Sequence, residues 1–143
     1  MDDLYRENLL DHYKHPRHHG PMPDATISLE GQNPLCGDHV HLHLRLDEGR
    51  ERIEAISFES RACTICTAST SMLTELVTED PLIAHVARIE RPEIEEAVGI
   101  PLSPMRLKCA LLGLGTLKVA LHRAAGTPLP EAWAGSEEIE WGA

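Results

Sequence analysis

The chain has 143 residues, the size of one domain that can bury a core without staples. Apolar residues make up 42% and charged ones 25%, which excludes a disordered chain, and aromatics are only 3%, so the core must be aliphatic. A net charge of −10 argues against nucleic-acid binding, and no apolar run is long enough to span a bilayer. The acidic start, Met1-Asp2-Asp3, lacks a secretory pattern. A cytoplasmic location with reduced thiols is therefore expected.

Leu4 to Tyr13 reads as a helix with Tyr5, Leu9 and Tyr13 on one stripe, stopped by Pro16. Pro16, Gly20, Pro21 and Pro23 then impose an irregular connection. Ile27 and Leu29 alternate with polar neighbours as in a strand. Alternation is strict from His39 to Leu46, with His39, His41, His43 and Arg45 on one face and Val40, Leu42, Leu44 and Leu46 on the other. Asp47 to Arg50 is a turn, and Ile53 to Phe58 the return strand. The period then becomes helical through Ala68, Met72, Leu73, Leu76 and Val77. Asp80-Pro81 reads as a cap opening a short helix through Leu82, Ile83 and Val86, and Pro92 to Val98 as another. Ser103-Pro104 caps a longer helix whose stripe is Leu107, Ala110, Leu111, Leu114, Leu117 and Leu121. This pattern predicts an α+β fold, a small three-stranded antiparallel sheet with helices packed on one face. One domain over residues 1–125 is expected, followed by an acidic tail over 126–143 in which Trp133 and Trp141 are able to dock back.

Cys36 lies in a Pro/Gly turn beside Asp38, Cys63 between a strand and a helix, and Cys109 after Lys108 near the start of the long helix. Junctions of this kind can aim side chains into one pocket. Small buried hydrophobes, metal ligands and reactive thiols all remain open on spacing alone, since Cys63 and Cys66 form a C-x₂-C pair without a second pair. Three thiolates and one carboxylate would make a four-coordinate site for zinc or an iron–sulfur cluster, with the hard carboxylate as the labile member. A helix N-terminus and Lys108 would both favour the Cys109 thiolate, making it the candidate persulfide acceptor. Cys66 reads as a helix-start residue, with resolution of a persulfide on Cys63 as its alternative role. His12, His15, His18 and His19 read as solvated side chains, and His39, His41 and His43 as the wet face of a sheet. His39, next to Asp38, is a candidate for hydrogen bonding to the site.

Three stretches carry a family resemblance. Leu4 to Arg17 resembles the opening of the U-type scaffolds NifU, IscU and SufU. Asn33-Pro34-Leu35-Cys36-Gly37-Asp38 matches their N-P-x-C-G-D motif. Cys63 to Met72 and Arg106 to Ala110 resemble their second and third cysteine motifs. The resemblance, from about Leu4 to about His122, implies a NifU-like α+β fold with Cys36, Asp38, Cys63 and Cys109 as ligands. It implies a scaffold or sulfur carrier rather than an enzyme, one that assembles or transfers a [2Fe-2S] cluster. Its expected partners are a pyridoxal-phosphate cysteine desulfurase and apo iron–sulfur recipient proteins. SufU-like members instead bind Zn2+ at these positions as sulfurtransferases, and a purely structural zinc domain is disfavoured by Asp38. Lys108 resembles the SufU branch, where IscU-like members carry His. The 46 positions from Cys63 to Cys109 resemble the IscU spacing. Cys66 and the Ser60-Arg61-Ala62 lead-in depart from the family pattern.

Overall fold

The computed structural model describes residues 2–33 and 37–127. Helix α1 (Asp2–Lys14) precedes strands β1 (Ile27–Asn33), β2 (Asp38–Leu46) and β3 (Ile53–Arg61). Helices α2 (Thr64–Glu79), α3 (Ile83–Val86), α4 (Arg91–Val98) and α5 (Pro104–Ala125) follow. The sheet is an antiparallel meander in the order β1-β2-β3, and α2 and α5 pack side by side on it. The expected α+β architecture is the one observed.

The even residues Val40, Leu42 and Leu44 of β2 are fully buried under the helices. Phe58, Leu73, Leu111 and Leu114 close the same core. Two glycines set the spacing of the layers. A Cβ at Gly31 of β1 would collide with Thr116 of α5, and one at Gly113 of α5 would press on Thr70 of α2. The outer edge of β3 is covered by residues 18–20: Phe58 N–H donates to the His18 carbonyl at 3.0 Å and Gly20 N–H to the Phe58 carbonyl at 2.9 Å. That pairing satisfies backbone groups that an open edge would leave to other chains.

Several expectations need correction. In α1 the buried face is Leu9 and His12, while Tyr5 and Tyr13 are exposed. Asp80 closes α2 instead of opening a helix, and α3 begins only at Ile83. The intervening backbone pairs with the start of β3, Ile53 N–H donating to the Pro81 carbonyl and Ile83 N–H to the Glu51 carbonyl, both at 2.9 Å. The single apolar stripe of α5 is also too narrow. From Cys109 to Leu121 every residue is buried, because α2, the sheet and α4 enclose the helix. Small residues and Lys118 make this possible, the Lys118 Nζ donating to Glu90 Oε1 at 2.8 Å. The helix ends at Gly126 in the left-handed conformation. Residues 128–143, which hold most of the expected tail with Trp133 and Trp141, lie outside the described residues.

Candidate metal centre

Three chain junctions meet at one end of the core. Asp38 is the first residue of β2 and is buried. It follows Gly37, whose positive φ of 74° suits glycine and whose N–H donates to the Asn33 carbonyl at 2.8 Å. Cys63 is the N-cap of α2, in extended conformation, with its Sγ accepting from Cys66 N–H at 3.5 Å. Cys109 is buried in the second turn of α5, which Ser103 caps by accepting from Arg106 N–H.

The carboxylate of Asp38 ties the first two junctions together. Its Oδ1 accepts from Cys63 N–H at 3.0 Å, and the Cys63 thiol donates to Oδ2 at 3.4 Å. Proximity to the N-terminal end of α2 also suits a negative group. One ligand atom from each of Asp38, Cys63 and Cys109 lies within 4.8 Å of the others. Two thiols and one carboxylate at that separation can close around an ion by small side-chain rotations. The donor set fits a soft or borderline metal. Cys36, the fourth expected ligand, lies outside the described residues.

Helix electrostatics act here on a different cysteine from the one expected. Cys109 lies five residues beyond Pro104, past the first turn in which a helix terminus acts. The thiol at a helix N-terminus is that of Cys63. Lys108, adjacent to Cys109, is half-buried. Cys66 is fully buried in the core, and its backbone rather than its thiol serves the cap.

The histidines also divide differently. His12 is buried, its Nδ1 on Ser71 Oγ at 2.7 Å and its Nε2 3.2 Å from Glu75. Burial, aided by Arg17, holds its pKa below the ordinary value despite Glu75 and Asp11. His18 bonds Thr74 Oγ1 at 2.9 Å, and His19 packs edge-on against Phe58. His39 bonds Glu30 at 2.7 Å on the outward face of the sheet, away from Asp38. His43, expected to be wet, is buried beside Ser28 and Glu59. Glu59, paired with His41 across the ladder on that face, lies in no sequence motif.

A core, a sheet and a cysteine-rich end of this form define a class. The sequence profile of the NifU-like N terminal domain matches residues 4–127, and the chain belongs to that family. An iron-sulfur cluster assembly scaffold protein IscU from Streptococcus pyogenes is 34% identical over 141 residues, covering 87% of each chain. A zinc-dependent sulfurtransferase SufU from Bacillus subtilis is 30% identical, covering 88% of this chain and 95% of that one. A crystal structure of a putative iron-sulfur cluster assembly scaffold protein for the SUF system, from Fervidobacterium islandicum, superposes with a TM-score of 0.62. It is 27% identical, covering 80% of this chain and 94% of that one.

Proposed function

We propose that this protein is an iron–sulfur cluster assembly scaffold, receiving iron and sulfur at Cys36, Asp38, Cys63 and Cys109 and handing on a [2Fe-2S] cluster as cargo. The observation that carries the reading is the convergence of Asp38, Cys63 and Cys109 from three separate elements. A hard oxygen among soft sulfurs is a poor permanent ligand for a cluster and a good one for release. Both the scaffold named for Streptococcus and the one from Fervidobacterium support it.

Sulfur would come from the persulfide of a cysteine desulfurase. The Cys109 thiolate attacks the outer sulfur, the donor's S–S bond breaks, and the donor cysteine leaves as thiolate. No net oxidation occurs in this transfer, and an external electron donor must then supply two electrons to each sulfane sulfur before it becomes a bridging sulfide. Cys109 is proposed as acceptor on the positive charge of Lys108, its neighbour in the chain. Apo iron–sulfur proteins would be the recipients.

A second reading, zinc-dependent sulfur transfer at the same four residues, is favoured by Lys108 and by the Bacillus relative. Anaerobic reconstitution with iron and sulfide separates the two. A scaffold becomes coloured and passes its colour to an apo recipient. A zinc sulfurtransferase stays colourless, is purified with one zinc, and loses sulfur uptake when a chelator removes it.

A further inference from the structure

The outward face of the sheet carries a second group of ligand atoms unrelated to the cysteines. His41 and His43 lie two residues apart on β2, their rings 4.4 Å apart between centroids. Glu59 is paired with His41 across the β2–β3 ladder. One ligand atom from each of the three lies within 4.8 Å of the others.

Two features distinguish this group from scattered surface polarity. His43 is 95% buried, with Nε2 3.0 Å from Glu59 Oε1 and Nδ1 2.7 Å from Ser28 Oγ. A metal-bound imidazole needs such an oxygen behind it, since the second ring nitrogen must donate its proton while the first binds the ion. Ser57, opposite His43 in the ladder, has the one buried side-chain polar atom without a hydrogen-bond partner among the described residues. An ion with bound water would supply one. His41 and Glu59 also line an open groove of about 370 Å³ shared with Glu30 and His39, so solvent reaches the group.

We propose that His41, His43 and Glu59 form a second metal site, for a borderline divalent first-row cation, on the sheet face opposite the thiol centre. Two imidazoles and one carboxylate are the donor set of open zinc sites and of non-haem iron(II) sites. His41 stands three residues along β2 from Asp38, about 10 Å, with its side chain on the other face. The two sites therefore fill independently.

Cobalt(II) titration tests this, because thiolate-bound cobalt absorbs strongly in the near ultraviolet and cobalt on imidazole and carboxylate does not. Wild-type protein should take a second equivalent with no further rise in the thiolate band. His41→Ala and Glu59→Gln should lose that equivalent and keep the first. His41 is exposed, so its variant is not expected to fail to fold, whereas buried His43 is unsuitable for the test. Ser28→Ala should weaken the second ion by about tenfold or more. His85→Ala, a remote histidine paired with Asp80, should change nothing. The proposal is overturned if the second equivalent is missing in wild type, survives His41→Ala, or falls equally in His85→Ala. Displacement of the cobalt by Zn2+ or by anaerobic Fe2+ identifies the occupant, and displacement by neither also overturns it. Loss of the thiolate band alone would instead sink the cysteine-centred reading.

Discussion

Asp38 combines two functions that substitution can separate. One oxygen anchors the Cys63 amide, and the other faces the Cys63 thiol. Asp38→Ala removes both the charge and the anchor, leaving a part-buried N–H without its acceptor. The expected loss in urea unfolding is about 1–3 kcal/mol. Asp38→Asn retains an acceptor and should lose less. Both should release a bound cluster to an apo recipient more slowly than wild type, and equal transfer rates would count against a lability role. Cys109→Ser should abolish sulfur uptake from a desulfurase and cysteine while leaving residual metal binding. Intact-mass and peptide analysis that locates the added sulfur on Cys63 or Cys66 would reverse the assignment. The convergence of Asp38, Cys63 and Cys109 was readable from their motifs. The division of labour among them was not, because Cys63's place as a helix cap depends on where α2 begins, and residue spacing leaves that open by a turn.

Between elements, the docking of α1 on α2 turns on His12. Its pKa is depressed by burial, so the folded protein holds it neutral, while the unfolded chain takes up a proton near the ordinary value of about 6.5. The unfolded state thus binds more protons below that pH. Its stabilising contribution is complete above about pH 6.5 and is lost as pH falls toward the folded value. His12→Gln should flatten this part of the stability–pH curve, as read by thermal melts across pH 5 to 8; an unchanged slope would exclude His12 as the cause. Where α5 crosses β1, Gly31→Ala should cost about 1–3 kcal/mol by overpacking against Thr116. Adding Thr116→Ala should recover part of that loss, so the two changes should be non-additive in a double-mutant cycle. The strands were legible because a period of two has one reading. Helix α5 was underread because a helix buried on all sides shows a stripe only where its largest residues lie, and Gly113, Gly115 and Thr116 gave no apolar signal.

At the scale of the whole molecule, the thiol centre joins β2, α2 and α5, the elements that make the core. A metal held there by all three elements would bind the folded chain more tightly than the unfolded one and stabilise it by mass action, by up to about 4 kcal/mol at a free concentration a thousand times Kd. Chelation should therefore lower the melting temperature by several degrees in one cooperative transition. An unchanged melt after verified metal loss would show that the site does not bridge the elements. No helix among the described residues is long and apolar enough to cross a membrane.

The covering of β3 by residues 18–20 and the His12–Ser71 bond also set an order of events during synthesis. His12 precedes Ser71 by 59 residues. At roughly 5–20 residues per second, a ribosome needs about 3–12 s to travel from His12 to Ser71, in the helix on which α1 docks. For that interval the N-terminal helix and the strap behind it wait unpaired, with Leu9 exposed. The third cysteine arrives later still, so the nascent chain presents Asp38 and Cys63 before Cys109 exists to join them. If these residues hold metal as proposed, the incomplete pair would be open to premature capture, and docking of α5 would be the step that ends that interval.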